Sequence, residues 1–274
     1  MTIVTEQEPT DMDSEVDSAV HATEGTGDTA APKVRIRYQI RFAKTGLLRW
    51  ISHRDLARLW ERLLRRARLV LSMTEGFHPK PRIGFPSALA LGVESIDEVV
   101  EIDLAEELSP EVLLQKLESD QQPGLDIKSV TQLPDGFGKA QLVSSDYTIS
   151  VVDAVDTGTI EDAIRRLLTQ QEVTIERKKK QVAFKVSEQI LQLELAGSVL
   201  NLRLAASQAA TLRPGDILDL LGFADWVEKG TLIRRVAVKL KQQPEENGDI
   251  RRAVSTAWLE KKQINHQDHH GENT

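Results

Sequence analysis

The stretch Val34-Arg-Ile-Arg-Tyr-Gln-Ile-Arg-Phe42 decides how the fold begins. Apolar and polar side chains alternate along it, and three of the intervening positions hold arginine. This period of two predicts a strand with one buried face. The period then changes, because Ser52-His-Arg-Asp55 has the Ser-x-x-Asp form of a capping box and apolar residues recur at helical spacing as far as Ala67. A strand and a helix over about 53–68 therefore open the fold.

Further strands and helices follow in an order that repeats. In the first unit, strands are predicted near 69–73 and 82–86 and over 99–104 and 125–130, with a helix over 109–119. In the second unit, strands are predicted over 147–152, 172–177, 182–186, 190–195, 199–205 and 231–240, with helices over 159–170 and 214–222. The order strand, helix, strands, helix, strand is the split βαβ or ferredoxin-like layout. The sequence predicts an α+β fold of two tandem ferredoxin-like units with disordered N- and C-terminal arms.

Composition sets the expected divisions of the chain. They are a disordered acidic arm over 1–32, a first ferredoxin-like domain over 33–132, a linker over 133–146, a second ferredoxin-like domain over 147–241 and a polar tail over 242–274. The arm has eight acidic residues and no Lys or Arg. No apolar run approaches the roughly 18 residues that a membrane span needs, and no signal peptide is recognisable. We expect a cytoplasmic protein without membrane contact.

Charge is distributed unevenly along the chain, although the formal net charge is −7. Residues 33–82 contain 14 Lys or Arg and three acids, whereas residues 83–126 contain 11 acids and a single lysine. A local positive excess of this size favours contact with a polyanion such as RNA, or with an acidic protein surface. The alternative is that the two stretches neutralise each other in the folded protein.

The first helix carries six arginines between positions 54 and 68. Three of them succeed one another at i, i+4, where like charges repel by about 0.2–0.5 kcal/mol per pair. This arrangement favours a ridge that binds phosphates, because the guanidinium is a planar fork that matches phosphate oxygens. A solvated helix face is the alternative, supported by Glu61 and Arg65 at i, i+4. The candidate RNA-binding or partner-binding residues are Arg49, His53, Arg54, Arg58, Arg62, Arg65, His78, Lys80 and Arg82.

Two histidines lie in informative places. His53 occupies the first turn of the helix at the edge of the apolar stripe, which predicts a half-buried ring that orders the preceding loop or acts as an acid or base. His78 lies in the Gly76–Pro81 segment with Lys80 and Arg82 beside it, a setting suited to phosphate. No Ser/His/Asp order, phosphate loop or metal motif is present in the sequence. We assign no catalytic residue and no metal ligand, and His53 is the only catalytic candidate.

The first strand presents further basic residues on its polar side. Arg35, Arg37 and Arg41 would stand on the open face of a ferredoxin-like sheet, where nucleic acid can bind. Cross-strand ion pairs with Glu101 and Asp103 are an equal alternative. Tyr38 and Phe42 have the parity of the core, so base stacking on this sheet is not expected.

A second basic run, Arg177-Lys-Lys-Lys180, separates two strand patterns and is typical of a hairpin tip. Such a run is usually a solvated turn. The alternative is that it lines an RNA-binding cleft together with the arginines of the first unit.

Four motifs stand in a fixed order between residues 49 and 95. They are Arg49-Trp-Ile-Ser-His-Arg-Asp-Leu56, Glu61-Arg-Leu-Leu-Arg-Arg66, Gly76-Phe-His-Pro-Lys-Pro-Arg-Ile83 and Leu91-Gly-Val-Glu-Ser95. In these motifs, and over about 33–240, the chain resembles the DUF2344 family of radical-SAM-linked bacterial proteins. The resemblance implies association with a B12-binding radical SAM protein. S-adenosylmethionine and an iron–sulfur cluster are expected only on that partner, because a radical SAM core needs cysteines and this chain has none.

We therefore expect a non-catalytic accessory protein that docks a radical SAM enzyme and presents RNA to it through the arginine-rich helix face. The alternative is a metal-independent RNA-processing or RNA-modifying enzyme that uses His53. A pure protein–protein adaptor is a second alternative.

Overall fold

The computed structural model describes residues 34–243, except residue 121 and the pairs 153–154 and 208–209. The predicted acidic arm over 1–32 and all but the first two residues of the predicted polar tail lie outside the described residues. Within them, the fold is α+β, as predicted, with five α-helices and a large mixed sheet. None of these helices is long and apolar enough to cross a membrane.

Ten strands and five helices follow one another along the described chain. The strands are β1 (Ile36–Lys44), β2 (Ile83–Gly84), β3 (Glu94–Leu104), β4 (Leu125–Gln132), β5 (Leu142–Ser150), β6 (Glu172–Arg177), β7 (Lys180–Lys185), β8 (Ile190–Ala196), β9 (Val199–Ala205) and β10 (Ile233–Leu240). The helices are α1 (His53–Arg66), α2 (Pro110–Glu118), α3 (Thr157–Leu168), α4 (Val186–Gln189) and α5 (Pro214–Leu221), with 3-10 turns at Gly46–Trp50 and Ala224–Trp226.

The first half of the sheet has the strand order β4-β1-β3, and β2 pairs with the far side of β3. Each neighbouring pair in this half is antiparallel. A strand thus lies between the two strands that each helix connects, as a split βαβ layout requires. β2 is only two residues long, because prolines at 79, 81 and 86 confine regular pairing to the residues between them.

The second half repeats this arrangement with the order β10-β5-β9-β8, again antiparallel throughout. The β6–β7 hairpin and the short α4 are inserted between α3 and β8. The two halves share one sheet, because β10 pairs in parallel with β3 at Glu94 and Ser95. The short β2 leaves this part of the β3 edge open for β10.

Both halves cover the same face of the sheet with their helices. Strand order and direction are the same in the two halves, so right-handed crossovers place α1, α2, α3 and α5 on one side. One apolar cluster packs α1 and α2 against β1 and β3 around Phe42 and Trp60. A second cluster packs α3, α5 and the β6–β7 hairpin against β5 and β9 around Ile149 and Trp226.

On the first half, the opposite face of the sheet is covered by ion pairs and by the linker between the halves. Arg35 pairs with Asp103 at 2.6 Å, and Arg37 with Glu101 at 3.1 Å. Arg41 pairs with Asp97 at 2.7 Å. The linker lies over this face, because the Arg37 guanidinium donates to the carbonyl oxygens of Phe137 and Gly138. Of the two alternatives for the strand arginines, the structure therefore favours cross-strand ion pairs over a nucleic-acid surface.

Candidate nucleic-acid interface

α1 begins at the residue that the capping box predicts. The Ser52 hydroxyl accepts from the backbone N–H of Asp55 at 3.2 Å and donates to its carboxylate at 2.7 Å. This satisfies one of the donors that every helix N-terminus leaves unpaired. The hydrogen bond from Ser52, with the charge of Arg58 acting in the same direction, lowers the pKa of Asp55. The start of the arginine-bearing helix is thus fixed by its own sequence.

One side of α1 is buried and the other is rich in arginine. The buried side chains are Leu56, Leu59, Trp60, Leu63 and Leu64. The exposed side carries Arg54, Arg58, Arg62, Arg65 and Arg66, and Arg68 lies exposed just beyond the end of the helix. Successive i, i+4 positions lie about 6 Å apart along the helix axis. The exposed arginines therefore form a row along the length of α1, as the sequence predicts.

Half of these arginines are paired with acids. Arg58 pairs with Asp55 at 3.4 Å and Arg65 with Glu61 at 2.9 Å, while Arg66 pairs with Asp120 at 2.5 Å. Exposed pairs of this kind are worth about 0–1 kcal/mol each, so an incoming phosphate can replace the carboxylate. Arg54, Arg62 and Arg68 make no ion pair with any residue that the structure describes.

An exposed tryptophan precedes α1. Trp50 ends the 3-10 turn with 57% of its surface exposed, and the Arg49 guanidinium lies 4.9 Å from the centre of its ring. The ring rests against Gly92, where a Cβ would lie 3.0 Å from the indole. The turn itself is held by Glu94, whose carboxylate accepts from the backbone N–H of Gly46 at 2.9 Å. An indole that rests on Gly92, is more than half exposed and has a guanidinium over its ring is suited to stacking on a base.

Glu94 is fixed as an anion at the base of this turn. Burial acts to raise the pKa of Glu94, but hydrogen bonds from Arg234 and from Gly46 and the charges of Arg234 and Arg49 outweigh it, so the pKa is lowered. The Arg234 guanidinium donates to Glu94 at 2.9 Å. The 3-10 turn is thus tied electrostatically to the start of β3.

His53 is exposed, whereas its place on the helix predicts a half-buried ring. The imidazole makes an edge contact with Phe85, with ring centres 5.2 Å apart. His53 is the first residue of α1, so no preceding turn of the helix covers its ring. No hydrogen bond from the ring to a described acid or hydroxyl would orient it for proton transfer.

The loop over residues 72–82, which contains the Gly76–Pro81 segment, begins and ends next to β3. Ser72 and Arg82 both form backbone hydrogen bonds with Asp103. Within the loop, Thr74 and Lys80 bond to each other, and the Arg82 guanidinium donates to the carbonyl oxygen of Met73 at 3.1 Å. The loop is therefore closed at its base, although it contains no regular structure beyond an isolated bridge.

The tip of this loop is open to solvent. His78 and Lys80 are exposed and Arg82 is half-buried. Phe77 is fully exposed and packs on no described side chain. The loop base lies near the start of α1, because three residues of extended chain, about 10 Å, separate Arg82 from the Phe85 that His53 contacts.

The structure thus brings most of the predicted binding residues to one region. Arg49, His53 and Arg54 lie at the start of α1, and the base of the loop is close to them. Arg58, Arg62 and Arg65 continue the row toward the other end of the helix. Among the described residues, no group of three or more His, Asp or Glu could hold a metal ion.

Two aromatic residues of this region were missed as binding candidates. Trp50 and Phe77 lie within motifs that the sequence singles out, but only their arginine and histidine neighbours were proposed as contacts. The signal was available for both. Trp50 lies two residues before the capping Ser52, outside the apolar stripe, and Phe77 is flanked by glycine, histidine and proline residues that provide no core to bury it.

Comparison with known proteins identifies the family of the chain. A search of the curated proteins finds no match. Two solved structures, of a Cbf5-Nop10-Gar1 complex and of an H/ACA RNP bound to a substrate RNA containing 2'-deoxyuridine, align with TM-scores of 0.36 and 0.34 at 11% and 10% identity. Each alignment covers 73% of this chain. This chain spans about half of the matched chains, 48% of the first and 47% of the second.

A third structure, of an unknown protein from Galdieria sulphuraria, aligns with a TM-score of 0.22 at 13% identity, over 76% of this chain and 100% of that one. At TM-scores below 0.5 these likenesses establish neither fold nor function. The family comparison is different in kind, because a family model matches residues 37–214, which include α1, the loop and most of the second half. The chain belongs to the DUF2344 family, described as an uncharacterized protein conserved in bacteria.

Proposed function

We propose that this protein is an accessory protein that binds single-stranded RNA through the α1 surface. The α1 surface comprises Arg49, Trp50, His53, Arg54, Arg58, Arg62 and Arg65. The observation that carries the proposal is that the exposed Arg54 and Arg62 pair with no acidic residue that the structure describes. Most other arginines of the first half are paired with acids. Trp50 lies just before the start of the same helix, and 57% of its surface is exposed.

The charges of the first half support this division of roles. Four of its arginines pair with acids from the stretch 83–126, at Asp97, Glu101, Asp103 and Asp120. The positive excess of the sequence is therefore concentrated on the helix side rather than spread over the whole half. Arginines that follow a backbone, next to an aromatic ring on which a base can stack, are the usual combination for single strands.

Filter binding of the full chain to a single-stranded RNA at 50 and 200 mM salt tests the proposal. The variant Arg54→Gln/Arg62→Gln removes two unpaired charges, so the slope of log affinity against log salt should fall by about 1.4. A matched control, Arg165→Gln/Arg203→Gln, removes two exposed arginines that pair with Asp162 and Asp146 in the second half. Equal slopes for the two variants, or no binding by the wild type at 50 mM salt, would contradict RNA binding by the α1 surface.

The finer part of the proposal is that the protein serves a B12-binding radical SAM enzyme, as its family resemblance implies. Tagged full-length protein should recover that partner from an anaerobic lysate of its bacterium. Iron and acid-labile sulfide in the eluate are a direct measure of recovery, because this chain has no cysteine to hold a cluster. An eluate without either would count against the partnership and leave the RNA proposal standing.

A further inference from the structure

The tip of the β6–β7 hairpin has an unfavourable turn. Arg177 and Lys180 are the last paired residues, so Lys178 and Lys179 alone form the turn. Both have positive φ, 51° and 64°. A two-residue turn with two positive φ angles is of type I′, which favours Asn-Gly, because the left-handed region is costly for residues with a Cβ.

The residue before the turn anchors the hairpin to the second half. The Arg177 guanidinium donates to the carbonyl oxygen of Thr211 at 2.9 Å and to the carboxylate of Asp216 at the start of α5. It also lies 5.3 Å from the centre of the Phe184 ring. Val173 and Phe184 are buried in the apolar cluster of the second half. The strands are therefore fixed, and the turn lies exposed beyond the core.

The turn is also unfavourable electrostatically. Lys178, Lys179 and Lys180 are consecutive and exposed, and none makes an ion pair with a described residue. The nearest acid along the hairpin, Glu176, faces Gln181 across the strands. Repulsion among the three ammonium groups and the two left-handed residues both act against the fold, and no side-chain hydrogen bond of these lysines to a described residue offsets this cost.

We propose that Lys178, Lys179 and Lys180 bind phosphates of the same RNA chain that the α1 surface binds. This inference rests on the proposed function and adds a second contact to it. Lysine binds phosphate as a compact point charge, and an anion between the three ammonium groups relieves their repulsion. The hairpin packs in the apolar cluster of α3 and α5, and right-handed crossovers place these helices on the same side of the sheet as α1.

The variant Lys178→Asn/Lys179→Gly tests this proposal, because it supplies the residues that a type I′ turn favours and removes two charges. Its melting temperature should rise by about 2–4 °C. Its affinity for a single-stranded RNA at 50 mM salt should nevertheless fall at least about tenfold, with a salt slope lower by about 1.4. A better-folded protein that binds RNA less well separates loss of binding from loss of structure.

A matched control is Lys185→Gln/Lys229→Gln, which removes two exposed lysines that pair with Glu188 and Asp225 in the same half. Its affinity should stay within about twofold of the wild type. If the turn variant binds RNA as well as this control while Arg54→Gln/Arg62→Gln loses binding, the hairpin proposal is wrong and the α1 proposal stands. If the wild type binds no RNA, both proposals are wrong.

Discussion

Arg235 on β10 donates from Nη1 to both carboxylate oxygens of Glu98 on β3, at 3.1 and 3.2 Å. The same guanidinium donates to the hydroxyl of Tyr147 on β5 at 2.9 Å and to that of Ser87 at 2.9 Å. Arg235 and Glu98 are 4% and 3% exposed. Burial raises the pKa of Glu98, and the charge of Arg235 opposes that rise. One buried cation thus joins the two halves of the sheet.

Arg235→Met should destabilise the protein by about 3–5 kcal/mol, because it leaves the Glu98 carboxylate buried without its ion-pair partner. Urea unfolding measures the loss. The double variant Arg235→Met/Glu98→Met should recover part of it, since the carboxylate is removed together with its ion-pair partner while Lys44 remains buried. Arg203→Met, which removes an exposed partner of Asp146, is the control and should cost less than about 1 kcal/mol. Equal losses of unfolding free energy in Arg235→Met and Arg203→Met would show that the buried ion pair contributes no more to stability than the exposed one.

Lys44 should make the free energy of unfolding depend on pH in the alkaline range. The side chain is 1% exposed, and Nζ lies 3.4 Å from the carbonyl oxygen of Ile51 and 3.5 Å from that of Arg49. Burial lowers the pKa of Lys44, and the charge of Glu98 only partly opposes this. Between the lowered value and about 10.4, the unfolded chain binds more protons than the folded protein, so the free energy of unfolding rises with pH.

In Lys44→Met this rise should be smaller than in the wild type when urea unfolding is compared at pH 8, 9 and 10. Lys239→Met removes an exposed lysine of β10 and should keep the wild-type dependence. A Lys44→Met protein with an unchanged pH dependence would contradict the assignment.

Trp50→Ala should weaken binding of single-stranded RNA without changing its salt dependence, because the indole contributes stacking and no charge. Loss of one stacked base corresponds to about 1–3 kcal/mol, or roughly 5- to 150-fold in affinity. Filter binding over a salt series separates this from the arginine variants, which lower the slope. Leu168→Ala, at an exposed apolar residue of the second half, is the control and should bind as the wild type does.

Ser52→Ala should remove the N-cap of α1 and destabilise the protein by about 1 kcal/mol. The pKa of Asp55 should rise toward its ordinary value in this variant, since the hydrogen bond from Ser52 is the main cause of its lowering. Urea unfolding measures the first effect, and carboxyl titration by NMR the second. Ser150→Ala, at an exposed strand end, should change neither. A normal titration of Asp55 in the wild type would contradict the cap geometry.

Local patterns in the sequence predicted the elements well where apolar periodicity was clean. β1, α1 and α2 lie where alternation, the capping box and Ser109-Pro110 place them. Two strands begin earlier than predicted, β3 at Glu94 instead of 99 and β5 at Leu142 instead of 147. The first residues of these strands are largely polar or charged. They form strand because they pair with distant segments, which no local pattern reveals.

The parallel pairing of β10 with β3 was beyond sequence reasoning for the same reason. Glu94, Arg234 and Arg235 have the charge typical of surface residues, and only the fold pairs Arg234 with Glu94 and Arg235 with Glu98 where the halves meet. The arginine row of α1 was predictable, because helical spacing alone places it opposite the leucines. The sequence could not predict which arginines lack an acidic partner, because Asp120 and the acids of β3 lie far along the chain.

The two-residue length of β2 also determines what happens if the halves are separated. Residues 34–132 alone would expose the hydrogen-bonding edge of β3 at Glu94 and Ser95, with the carboxylate of Glu98 lacking its cation. An unpaired edge is a template for pairing with another chain. A first half separated from the second should therefore self-associate through this edge and not behave as an independent module.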